Sequence, residues 1–225
     1  MSKASDDADK VKIGPVLNVP NVLTMIRLVL VPVFAWMLLA HPVDLAWRWA
    51  TVIVFLVALL TDVADGKIAR KYNLITNFGK LADSIADKAM TGMAMIGLSI
   101  LGDLWWWVTI IILIREWGIT LMRFLIVKYG VQAADRLGKM KTLTQTIALV
   151  ALLAPFLFYM NASTAPAGYW VCTILHWVGI VAMGIAFVLT VVSGVHYCIE
   201  AWKMRRDWLA RHAVTEDPDA TGDAN

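Results

Sequence analysis

The chain has 225 residues, of which 60% are hydrophobic and 16% charged, with a formal net charge of +3. Soluble domains hold roughly 45–50% apolar and about 25% charged residues, so this composition excludes a disordered chain, a coiled coil and most soluble enzymes, and points to an integral membrane protein. The small positive excess, with no basic cluster set in a soluble fold, predicts no nucleic-acid partner.

Residues 1–20 read as a juxtamembrane segment. Lys3, Lys10 and Lys12 are mixed with Asp6, Asp7 and Asp9, and no small-residue cleavage site follows the first apolar run, so that run is expected to be a retained span. Lys10–Val19 reads either as a stretch lying on the membrane surface or as a solvated linker. A transmembrane helix needs about 20 mainly apolar residues. Six are expected: Val22–Ala40 with Asn21 as its N-cap, Trp47–Lys71, Asp83–Leu101, Leu104–Val127, Lys141–Met160 and Gly168–Trp202, with Gly102-Asp103 as a tight turn. The fold class is therefore all-α and polytopic, with a six-helix membrane domain over 21–202. A tail over 203–225 turns acidic from Ala213 and is expected to end disordered. Cys172 and Cys198 fall in one helix, about 39 Å apart along it, so they cannot pair and read as small buried hydrophobes.

Lys and Arg placement sets the orientation. Lys3, Lys10 and Lys12 precede the first span. Lys67, Arg70, Lys71 and Lys80 surround the second connection, Lys128, Arg136, Lys139 and Lys141 the fourth, and Lys203, Arg205, Arg206 and Arg211 follow the last span, while the opposite-side connections hold only Arg48. The alternation puts both termini in the cytoplasm. Trp47, Trp49, Trp105, Trp106, Trp107 and Trp170 fall at the outer ends, as an interfacial aromatic belt requires.

Four charges contradict a simple span. The uncharged part of the second helix, Trp49–Thr61, covers only about 20 Å of a hydrocarbon core of about 30 Å, and Ala89–Leu101 of the third falls short in the same way. Asp62 and Asp65, and Asp83 and Asp87, are thereby drawn toward membrane depth, where each carboxylate costs up to about 2.5–3.5 kcal/mol. Asp62, Asp65, Gly66 and Ala69 recur at i, i+3, i+4 and i+7, and Gly79, Asp83 and Asp87 at i, i+4 and i+8, so each set shares one helix face. Two such faces on an antiparallel pair converge into an all-oxygen site suited to Mg2+ or Mn2+, and two such ions are a usual device for phosphoryl-type displacement. Gly66 and Ala69 leave room for a substrate, and Arg70 is placed to bind a phosphate.

Asp62-x-x-Asp65-Gly66-x-x-Ala69-Arg70, eight residues, Gly79, three residues, Asp83, three residues, Asp87 resembles the signature of the CDP-alcohol phosphotransferases at every fixed position. Asn18 to Arg27 (with Asn21 and Thr24), Arg115-Glu116, and Gly138 to Gln145 are similar to one branch of that family, the bacterial phosphatidylglycerophosphate synthases. Ser84 stands where many of that branch have Pro, and Arg123-Phe124 where Arg-Glu is common. The resemblance implies transfer of a phosphatidyl group from CDP-diacylglycerol to glycerol 3-phosphate, with release of CMP, in a bacterial cell membrane. It implies two metal ions on Asp62, Asp65, Asp83 and Asp87, with Asp87 also the general base. It further implies donor contacts from Gly66, Ala69, Arg70, Thr76 and Gly79, joined by Asn21, Thr24 and Arg27, and a homodimer.

The acceptor phosphate is assigned to Arg115, Arg123, Lys139 and Lys141. The other reading is an internal Glu116–Arg123 pair with lysines at lipid headgroups. Inositol phosphate or phosphatidylglycerol are alternative acceptors. A cation transporter is the alternative of another class, although no broken-helix repeat is visible and the Arg beside the carboxylates favours an anionic ligand.

Overall fold

The computed structural model describes the backbone of residues 19–71, 77–126, 136–155 and 166–216. Among these residues it is all-helical, with six helices: α1 (Val19–Ala40), α2 (Leu45–Lys71), α3 (Asn77–Leu101), α4 (Trp106–Ile126), α5 (Arg136–Leu153) and α6 (Pro166–Glu216). Two compact units divide them, one running up to Gly97 and including Leu153–Pro155, the other formed by Leu98–Leu152 and the residues after Pro155.

In the first unit α1 and α2 form an antiparallel hairpin. α1 buries Asn21, Thr24, Arg27, Val31, Phe34 and Leu38, a three-and-four spacing that is one helical face, and α2 answers with Arg48, Thr51, Phe55, Ala58 and Asp65. The contacts change character along the hairpin. Arg27 meets Asp62 and Asp65 at one end, the Phe34 and Phe55 rings pack at 5.8 Å in the middle, and at the other end His41 stacks on Trp47 at 4.4 Å with Trp36 edge-on to both. Asp44 caps α2 by accepting from Ala46 N at 2.9 Å and Trp47 N at 3.2 Å, which is why this helix starts at Leu45, two residues earlier than expected. On α3, Gly97 lets the helix lie against Leu38; a Cβ there would run into the Leu38 side chain. Close backbone approach at small residues is how helices pack where lipid removes the hydrophobic drive.

In the second unit α3 ends as the sequence predicts. Gly102 takes φ +85°, Asp103 N donates to Leu98 O at 2.9 Å and Gly102 N to Ser99 O at 3.3 Å, a Schellman closure that a residue with a Cβ would strain. Ser99 and Thr109 share a hydroxyl hydrogen bond of 2.7 Å across the turn. Trp107 packs edge-on to Phe187 at 5.2 Å and Arg115 Nη2 donates to Ser193 Oγ at 2.7 Å, so α4 and α6 run parallel.

Several expectations change. Asn21 is not an N-cap: the helix already begins at Val19, with Pro20 in the first turn where its missing N–H costs nothing, and Asn21 is buried on the α1 face. α3 begins at Asn77, ahead of the expected Asp83, and α5 spans Arg136–Leu153, ending just before Pro155. α6 continues through Lys203, Arg205 and Arg206 to Glu216, well past Trp202, because the basic stretch is still made of good helix formers. Cys172 is half-buried and Cys198 exposed, so neither is a core residue; both are free thiols.

Among the described residues four stretches are long and apolar enough to cross a membrane: Asn21–Ala40, Leu45–Lys67, Ala82–Leu101 and Tyr169–Arg206. α4 is interrupted by Arg115, Glu116 and Arg123, and the apolar part of α5, Met140–Leu153, covers only about 21 Å. Trp49, Trp105, Trp106, Trp107 and Trp170 are all exposed, as belt residues are.

Candidate active and metal site

The site is built where the polar end of the α1–α2 hairpin meets α3. Asp62 and Asp65 stand one turn apart on α2, and Asp83 lies in the second turn of α3. Oxygen atoms of these three carboxylates lie within 4.8 Å of one another, the convergence that the two shared faces predict. Asp65 is 2% exposed, while Asp62 and Asp83 are half-buried.

A cation from α1 sits among them. Arg27, 1% exposed, places Nη1 at 2.5 Å from Asp62 Oδ1 and 3.1 Å from Asp83 Oδ1, and Nη2 against Asp65 Oδ2. One guanidinium thus ties three helices by three charge-assisted hydrogen bonds. The sequence reading placed Arg27 among the donor contacts and missed this bridge. Its signal was a charged residue at i+3 and i+6 from Thr24 and Asn21 on an otherwise apolar span.

Three carboxylates against one guanidinium leave the cluster anionic. An all-oxygen, negatively charged donor set that already holds a cation fits a hard divalent ion such as Mg2+ or Mn2+.

Asp87 lies one turn beyond Asp83, outside the trio, and its backbone oxygen accepts from Thr91 Oγ1 at 3.0 Å. Ser84, the residue at a departure from the family pattern, accepts from Lys88 Nζ at 2.7 Å. Gly66 and Gly79 are half-buried, and Asn21 and Thr24 are buried on the α1 face that carries Arg27. Ala69, Arg70, Arg123 and Lys139 have helical backbone but side chains outside the described residues, and Thr76 lies outside them altogether.

The second unit holds a buried ion pair of its own. Lys141 Nζ on α5 is hydrogen-bonded to Glu116 Oε1 on α4, the two being 5% and 8% exposed. Glu116 is therefore paired with Lys141 of another helix. Arg123 follows two turns along α4, with its side chain outside the described residues. Arg115 is held by Ser193 and by Gly194, where a Cβ would lie 3.1 Å from Arg115 Cγ. Ser193 and Gly194 carried no signal in the sequence, since neither is polar or bulky enough to break the apolar pattern of α6. His176 lines a separate cavity of about 340 Å3 with Asp103, Trp107 and Phe187, and His196 pairs with Glu200 at 3.6 Å; neither belongs to the acidic trio.

A family model described as CDP-alcohol phosphatidyltransferase matches residues 17–196. The probable phosphatidylglycerophosphate synthase of Mycobacterium tuberculosis (strain ATCC 25618 / H37Rv) is 40% identical over 190 residues, covering 83% of this chain and 82% of the relative. The CDP-diacylglycerol--glycerol-3-phosphate 3-phosphatidyltransferase of Bacillus subtilis (strain 168) is 36% identical over 200 residues, 83% of this chain and 96% of the relative. The Escherichia coli (strain K12) protein of that same name is 34% identical over 143 residues, 60% of this chain and 76% of the relative.

Proposed function

The chain belongs to the CDP-alcohol phosphatidyltransferase family, and from that premise we propose that it transfers the phosphatidyl group of CDP-diacylglycerol to sn-glycerol 3-phosphate, giving phosphatidylglycerophosphate and CMP. It is an enzyme of phospholipid biosynthesis. The observation that carries this reading is the convergence of Asp62, Asp65 and Asp83 around a cation, within the motif and among relatives named for this reaction.

Asp62, Asp65, Asp83 and Asp87 would hold two divalent ions, Mg2+ or Mn2+. When bound, these supply electrostatic stabilisation of the donor diphosphate and of the leaving phosphate. Asp87 takes the proton of the acceptor hydroxyl as its oxygen attacks the phosphatidyl phosphorus, and the phosphoanhydride bond breaks to release CMP. The donor contacts on this reading are Gly66 and Ala69, which are small enough to let it approach α2, with Arg70, Thr76, Gly79, Asn21, Thr24 and Arg27. Arg115, Arg123, Lys139 and Lys141 take the acceptor phosphate.

The protein spans a bacterial cell membrane six times, with both termini cytoplasmic. The parallel run of α4 and α6 supports two crossings in the same direction with α5 returning between them. The anionic donor headgroup then meets the carboxylates from the cytoplasmic side.

The test is an assay of the purified protein with CDP-diacylglycerol, Mg2+ or Mn2+ and competing acceptors. CMP and phosphatidylglycerophosphate are expected to form, to stop on chelation, and to return when metal is restored. Absence of product with every alcohol acceptor, from folded protein, overturns the reading. Preference for inositol phosphate or phosphatidylglycerol replaces the acceptor and keeps the chemistry.

A further inference from the structure

Arg27 occupies the space between the carboxylate oxygens that a metal would take. Its Nη1 lies 2.5 Å from Asp62 Oδ1 and 3.1 Å from Asp83 Oδ1, and its Nη2 is bonded to Asp65 Oδ2. A metal ion drawn to these same oxygens competes with the guanidinium for the space and the lone pairs between the three carboxylates. We propose that Arg27 is a resident counter-cation that must leave the cluster for a divalent ion to enter, so that α1 controls metal loading. The proposal rests on the metal reading above.

Two further observations support an exchange over a permanent bridge. The cluster carries three negative charges against one positive, so the guanidinium prevents collapse by repulsion without neutralising it. The Arg27 Nε, although buried, finds no hydrogen-bond acceptor among the described residues. Arginine offers five N–H donors in a fixed fork, and here the fork is filled only at its tips. The side chain is held by charge, which another cation can replace. Without any cation the buried carboxylates would carry a large desolvation and repulsion cost, which explains why the site does not simply stand open. Once displaced, the guanidinium at this depth needs an anion, and the diphosphate of a bound donor is the one the reaction supplies. Metal and donor binding then strengthen one another by the same factor in each direction.

The test uses full-length protein in nanodiscs without substrate, titrated with Mn2+ and followed by the electron paramagnetic resonance signal of the free ion. Arg27→Met removes the charge and keeps an unbranched stem; Arg27→Lys keeps a point charge and loses the fork. Breaking three charge-assisted bonds on metal entry predicts that R27M binds Mn2+ at least about tenfold more tightly than the parent, with R27K in between. In EDTA, R27M should melt below the parent, and Mn2+ should close that gap. Equal or weaker Mn2+ affinity in folded variants overturns the proposal. If R27M does not fold, R27K decides alone: tighter binding than the parent supports the exchange, and equal or weaker binding overturns it. Failure of the parent and both variants to bind Mn2+ overturns the metal reading itself, an outcome distinct from equal binding by all three.

Discussion

The two units treat buried charge in opposite ways. In the first, three carboxylates share one arginine, and the sum is negative. In the second, Glu116 and Lys141 meet one to one. A balanced buried pair is a structural device of small net worth, because desolvation offsets most of its attraction. An imbalance is different: it persists only if a ligand of opposite charge completes it. The first unit is thereby suited to a further cation, whereas the pair in the second is complete as a one-to-one contact.

Breaking the imbalanced side should have the largest effect. Asp62→Asn or Asp83→Asn is expected to lower CMP release by at least about 10^3-fold while membrane insertion, checked by protease protection, stays intact. Turnover within about tenfold of the parent would remove these residues from the site. Breaking the balanced side should cost stability first. Glu116→Gln removes the charge opposite Lys141 and is expected to destabilise the protein by about 3–5 kcal/mol, whereas the double variant Glu116→Gln, Lys141→Met recovers most of the loss. Thermal unfolding measures this, and no recovery in the double variant would mean that the pair does not act as a unit. Lys141→Met also sharpens the contrast kinetically: a raised KM for glycerol 3-phosphate with little change in kcat marks Lys141 as an acceptor contact as well. The smallest effect should come from packing. Gly97→Ala pushes a methyl group into Leu38 and is expected to cost about 1–3 kcal/mol, part of which Leu38→Ala restores in the double variant.

Much of this was legible in the sequence, for reasons that differ by residue. The spacing of Asp62, Asp65 and Asp83 is helical arithmetic, and convergence needed only a short connection between α2 and α3. Gly102 marked its turn because only glycine takes its backbone conformation cheaply. The partners across helices were not legible. Arg27 lies 35 residues from Asp62, and Lys141 lies 25 from Glu116, and no periodicity within one helix encodes either pairing. Asn21 shows the limit of local rules: its type favours a cap, but the preceding Pro20 favours the first turn, and burial beside Thr24 and Arg27 settled the contest. The end of α6 was misjudged because a charged stretch ends an apolar span without ending the helix that carries it.

The Arg27 bridge also bears on how such a chain enters a bilayer. Synthesis runs from the N-terminus, so α1, with its arginine, is delivered ahead of α2 with its two aspartates. Each helix alone brings an uncompensated charge into lipid, which raises the cost of inserting it by itself. Delivered in this order, the first helix waits as the complement of the second. The hairpin, rather than the single span, is then the natural unit of biogenesis, with the Arg27 contact admitting the carboxylates to the membrane.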